Sequence, residues 1–222
     1  MKERPIIFNG DMVRAVLSGQ KTQTRRPVKP QPIFKDLASP PRWCWSGKGH
    51  TVKWVDRISP LGMTGDCHFG QPGDHLWVKE TFYRYYPSET WPEPKALYKA
   101  DGITLCDKDS EGKKQRWTPS THMPRSLSRI TLEITDVQVE RVQDISEDDA
   151  WAEGIEAVDG CFVSADLYDT ARWYGMSMED ARCIYAHLWD SLYAARGFGW
   201  DVNPWVWVVT FKCVEDQKCL KN

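Results

Sequence analysis

The sequence predicts an α+β fold, built on a mostly antiparallel sheet or barrel with flanking helices. Three observations carry this expectation. Ile130, Leu132 and Ile134, followed by Val137 and Val139, alternate with the two-residue period of a strand. The closing run Trp205 to Phe211 is continuously apolar, as a strand buried on both faces requires. Between and before these runs lie capped helical patterns, in the order helix, strands, helices, last strand.

Taken in chain order, the first helix is predicted over 11–18. Asp11 stands as its N-cap, Met12, Val13, Val16 and Leu17 form its apolar stripe, and Gly19 occupies the left-handed C-terminal position. Gln20 to Arg26 is polar and β-tolerant, a short strand or extended turn halted by Pro27. Residues 27–73 are rich in proline and glycine but also hold Trp43, Trp45 and Trp54, so an ordered insertion is expected. His75 to Phe82 follows a Pro-Gly turn and reads as a strand. Asp107 to Arg116 reads as an exposed hairpin or loop. The long central strand breaks register at Thr135-Asp136, which fits a bulge. A capping box at Ser146 opens a helix ending at Gly154. Ser177 with Asp180 opens the longest helix, whose Ala181, Ile184, Tyr185, Leu188, Trp189 and Leu192 keep the 3.6-residue period of a core stripe.

At 222 residues, the chain suits one domain with insertions at about 27–72, 84–128 and 156–176. Its net charge of −2 argues against non-specific binding of duplex DNA, yet residues 1–53 carry +8 and the remainder −10. The N-terminus has no apolar signal region and no transmembrane run is present, so a cytoplasmic location is expected. Seven cysteines without a CxxC pair read as reduced thiols. Cys44, His50, Cys67 and His68 are chemically able to ligate zinc, but their irregular spacing argues against it; no metal or cofactor is expected.

Chemistry concentrates in Gly19 to Arg26, where a Lys, two Thr and two Arg follow a helix end. A Thr hydroxyl becomes a nucleophile when a base removes its proton, and a lysine does this when burial lowers its pKa. Lys21 and Thr24 are therefore a candidate couple, with Arg25 and Arg26 as donors to a phosphate or carbonyl. A solvated basic turn is the alternative reading of the same residues.

Val16 to Arg26, with Ile7, Phe8 and Met12 before it, resembles the signature of the ASCH domain family in the PUA-like β-barrel superfamily. Gly73 to Val78, Ile130 to Val142 and Val206 to Cys213 are similar to that family's later strands. The long, Trp-rich form also looks like versions carried by phages and prophages. The family includes a small amidohydrolase of N4-acetylcytidine that uses Lys, Thr and Glu, so the resemblance implies catalytic roles for Lys21, Thr24 and Glu153, with Glu147 as the fallback acid. It implies substrate contacts from Thr22, Arg25 and Arg26, and a partner that is a nucleoside or single-stranded RNA. A non-catalytic reader of RNA or modified bases, a ribonuclease and a protein-binding accessory remain rival expectations.

Overall fold

A computed structural model describes residues 1–35, 42–46, 52–55, 67–85, 95–107, 112, 114–156 and 165–214. The chain is α+β. Ten strands run β1 Glu3–Ile7, β2 Gln23–Pro27, β3 Ile33–Lys35, β4 Arg42–Ser46, β5 Val52–Val55, β6 His75–Lys79, β7 Phe82–Tyr85, β8 Lys95–Tyr98, β9 Thr131–Arg141 and β10 Trp205–Cys213. Four α-helices, α1 Gly10–Leu17, α2 Glu147–Ala152, α3 Ala165–Tyr174 and α4 Ala181–Tyr193, and five short 3-10 helices complete the regular structure of the described residues.

The central sheet has the order β1-β6-β9-β10-β2. It is mixed: β1 pairs with β6 in parallel and the other pairings are antiparallel. The expected closed barrel is not formed by the described strands. β1 and β2 end the sheet as opposite edges, with α1 between them in the chain. A side chain spans part of that gap, since Arg26 Nη2 of β2 donates to the Ile7 carbonyl of β1 at 2.9 Å. β3, β4 and β5 form a separate antiparallel sheet within the 27–72 insertion, and β7, which straddles the start of the 84–128 insertion, pairs with β8 inside it.

Other expectations are refined. Asn9, not Asp11, caps α1, its side chain accepting from the Met12 N–H at 2.8 Å. The strand after it starts three residues late and takes in Pro27, which is tolerated because β2 is an edge. The bulge falls where the pattern broke: Thr210 faces Asp136 and Phe211 faces Ile134, which leaves Thr135 unopposed. α4 begins after Asp180, whose carboxylate caps the Arg182 N–H at 2.8 Å, while Ser177 only receives the Glu179 N–H in the preceding turn. Within the 156–176 insertion, α3 packs Leu167 and Ala171 on Cys183 of α4. His50 and the side chains of Trp43, Cys44, Trp45 and Trp54 lie outside what is described.

The sheet separates two apolar clusters. Trp207, Val209 and Phe211 of β10 point to one side with Phe8, Val13 and Val16. Val206 and Val208 point to the other, against Tyr185 and Trp189 of α4 and Ala150 of α2. A strand sandwiched in this way needs apolar side chains at consecutive positions, which accounts for the unbroken run in β10.

Candidate active site

Two short backbone ties bring distant segments together at the β2 edge. The Lys21 N–H donates to the Ala15 carbonyl of α1 at 2.9 Å, and the Thr22 N–H to the Ala152 carbonyl of α2 at 2.8 Å. Gly154, with φ of 78°, makes this approach sterically feasible: a Cβ there would lie 2.7 Å from Ala15 Cβ and 2.8 Å from Lys21 Cβ. The end of α2 therefore sits against the start of β2.

Lys21 and Glu153 meet at this contact. The ammonium donates to Glu153 Oε2 at 2.6 Å and to the Glu153 carbonyl at 2.7 Å, and the side chains of both residues are almost wholly buried. Burial pushes the Lys21 amine below the usual lysine value, against the opposing attraction of Glu153; the positive charges of Arg26 and Arg25 add to the lowering. The other carboxylate oxygen, Oε1, receives the Tyr185 O–H at 3.3 Å and lies 3.5 Å from Arg25 Nη1. Tyr185 keeps its proton, its acidity suppressed first by burial and then by the Glu153 charge.

Arg25 and Arg26 point to opposite faces of β2, as neighbours in a strand do. Arg25 Nε donates to Glu140 Oε1 of β9 at 2.8 Å, Nη2 lies 3.4 Å from Asp149 Oδ2 of α2, and Nη1 donates to Gln23 Oε1 at 3.1 Å. Gln23 in turn donates to Asp149 Oδ1 at 2.9 Å. Arg26 Nη1 donates to the Tyr193 hydroxyl at 2.8 Å, while Arg26 Nε is a buried donor with no acceptor among the described residues. Lys21 Nζ and Arg26 Cζ stand 5.6 and 5.7 Å from the centroid of the Phe8 ring, on the side of the sheet that Thr24 shares with Arg26.

A hollow opens at this edge, lined by Thr24, Arg25, Arg26 and Glu153 and, from α4, by Tyr185, Leu188, Trp189 and Tyr193 among others. Its empty volume is about 250 Å³, open solvent at the mouth included. Because β2 is an edge strand, Thr24 and Arg26 from one face and Arg25 from the other all reach the hollow. Lys21 lies behind the lining, joined to it through Glu153.

The structure thus places Thr24, Arg25, Arg26 and Glu153 on the hollow, with Lys21 bonded to Glu153 behind it. Thr22 is exposed and outside the lining; it serves through its backbone, donating to Ala152 and accepting from Phe211. Glu147 is exposed in the first turn of α2, whereas Glu153 at the C-cap is buried. Sequence reasoning missed Glu140, Asp149, Gln23 and Tyr185. Tyr185 carried a signal, because a tyrosine in a core stripe needs a partner for its hydroxyl; Glu140 and Asp149 resemble ordinary surface acids until Arg25 is placed beside them.

Among the described residues, no three His, Cys, Asp or Glu side chains are grouped as metal ligands, and no helix is long and apolar enough to cross a membrane. No protein-family model matches the chain, and neither does any curated protein or solved structure.

Proposed function

We propose that this protein is an ASCH-type, PUA-like amide hydrolase that removes the acyl group from an N4-acylated cytidine. One observation carries the reading: Lys21 and Glu153, 132 residues apart in the chain, are buried and bonded at 2.6 Å directly behind the hollow that Thr24 lines. Buried ionisable groups with shifted acidity beside a concavity are candidates for proton transfer.

In its neutral form Lys21 takes the proton of the Thr24 hydroxyl while Thr24 Oγ1 attacks the amide carbonyl carbon. The tetrahedral oxyanion that forms is stabilised by donors of the site; Arg26 Nε, buried and without an acceptor among the described residues, is the side-chain candidate. Cleavage of the carbon–nitrogen bond sends the proton held by Lys21 to the departing 4-amino group. Cytidine leaves, and the acyl group remains as an ester on Thr24. Lys21, neutral again, takes a proton from water as the water oxygen attacks the ester carbon; the bond to Thr24 Oγ1 then breaks, Lys21 returns its proton to that oxygen, and the acid departs, losing its own proton to solvent as acetate. Glu153 orients Lys21 throughout. The mouth of the hollow is open to solvent, and the ribose of a nucleoside substrate would lie there.

The test is release of acetate from N4-acetylcytidine. Wild type is expected to turn over, with Thr24→Ala and Glu153→Gln reduced by about 10²-fold or more. A second reading, a non-catalytic reader of RNA or modified bases, is favoured by the cation–ring pairs beside the Tyr193 wall: Arg196 over Tyr193 at 5.9 Å and Lys29 over Phe198 at 5.0 Å. An inert wild type that binds single-stranded RNA with steep salt dependence would favour that reading and reject the first.

A further inference from the structure

We infer that Arg25 is a positioning residue: its guanidinium, anchored by Glu140 and Asp149, holds Glu153 Oε1 so that Oε2 is presented to Lys21. The inference rests on the amide-hydrolase reading for its catalytic meaning, but its geometry stands apart from it. The two oxygens of Glu153 have separate clients, Lys21 at 2.6 Å on Oε2, Tyr185 at 3.3 Å and Arg25 at 3.5 Å on Oε1. A carboxylate with one client can rotate about its last torsion, whereas one held at both oxygens cannot do so without breaking a contact. Arg25 is itself held on three sides, its side chain 1% exposed and its three nitrogens directed at Glu140, Asp149 and Gln23 on β9, α2 and β2. The planar fork is what allows one side chain to reach three elements.

The arrangement also addresses the charge problem of a lysine base. When Lys21 is neutral, Glu153 would be left as a buried anion without a cation; Arg25 keeps it compensated. The charged and titratable groups facing the Lys21–Glu153 pair are Arg25 and Arg26 of β2 and Tyr185 of α4. Those facing Arg25 are Glu140 of β9, Asp149 and Glu153 of α2 and its cap, and Tyr185. Three carboxylates around one guanidinium exceed what a local ion pair needs, and the third belongs to the candidate site.

The experiment follows the Lys21 side-chain nitrogen by NMR in protein carrying ¹⁵N-lysine, with the resonance assigned by its loss in Lys21→Met. It is titrated in wild type, Arg25→Ile and Glu140→Gln, alongside acetate release and thermal unfolding. Arg25→Ile suits an edge strand; Glu140→Gln keeps every lining residue and removes only the anchor. The expected result is an upward move of the Lys21 midpoint by about one pH unit in Arg25→Ile, in the same direction but smaller in Glu140→Gln. With it, kcat falls about tenfold or more in both variants, and KM holds in Glu140→Gln, whose lining is intact, because misplacement acts on the reaction rather than on binding. Arg25→Lys, which keeps the charge without the fork, is expected to recover the midpoint but not kcat. Folded variants whose Lys21 midpoint stays at the wild-type value would overturn the inference, whatever their melting temperature. If wild type releases no acetate yet the midpoint moves, the hydrolase reading falls and the hold of Arg25 on the pair is supported.

Discussion

Two charge clusters in this molecule, each built around a buried glutamate, have the same kinds of groups and different chemical prospects. Around Arg129, Nε and Nη2 donate to the two oxygens of Glu80 at 2.9 and 3.0 Å, Nη1 and Nη2 donate to Asp101 at 3.0 and 2.6 Å, and the guanidinium lies 4.0 Å from the Tyr98 ring centroid. Its cation cannot give up a proton at any pH the fold survives, the neighbouring carboxylates being among the reasons. Around Glu153, the closest cation is an ammonium that burial makes easier to deprotonate, and the cluster borders a hollow. A buried ion cluster becomes a candidate for chemistry when one member can change its charge and a space lies beside it; fully engaged guanidinium forks only bind elements together.

Removing the cation from each cluster in turn separates the two roles. Lys21→Met is expected to lower kcat/KM on N4-acetylcytidine by about 10²–10⁴-fold, with modest change in urea midpoint, because Glu153 retains Arg25 and Tyr185. Arg129→Met is expected to do the reverse. It strands Glu80, 1% exposed, and is expected to destabilise by about 3–5 kcal/mol in chemical denaturation while the folded fraction keeps its turnover. Equal activity losses in the two variants, after correction for folding, would erase the distinction.

Smaller effects sharpen it. Gly154→Ala forces a side chain into a left-handed backbone and onto Ala15 and Lys21; a cost of about 1–3 kcal/mol is expected, with activity lowered beyond the loss of folded protein. The acidity of Lys21 has a stability signature as well. Its folded value lies below the usual 10.5, so between the two values the unfolded chain binds more protons and stability rises with pH. Lys21→Met should flatten that rise in denaturation curves taken from neutral to alkaline pH. At the acid end, Arg4, the Lys2 N–H and the Gln71 N–H hold Asp74 at about 2. Its contribution is present above pH 3.8 and disappears as pH falls toward 2; Asp74→Asn should remove that part of the acid transition without touching the site.

Local signals were legible wherever one segment determined the outcome. The bulge near Thr135, the Ser146 cap and the doubly buried β10 follow from alternation, capping chemistry and apolar continuity. The start of α4 was misread because Ser177 and Asp180 both offer capping oxygens, and the aspartate takes the helix. Sheet closure could not be read, since it depends on whether edges 20 residues apart in the chain pair, and α1 intervenes. Of the site, Lys21 and Thr24 stand out by composition and resemblance, whereas the partnership of Arg25 with Glu140 and Asp149 exists only after β9, α2 and β2 assemble.

The central claim, that Lys21 and Thr24 act as base and nucleophile with Glu153 behind them, is tested most directly by trapping the intermediate. Protein mixed with N4-acetylcytidine and quenched in acid within milliseconds, then digested and weighed, should carry one acetyl group on the peptide containing Thr24, and none in Lys21→Met. Steady acetate release with no acetyl group on Thr24 at any quench time would contradict the claim.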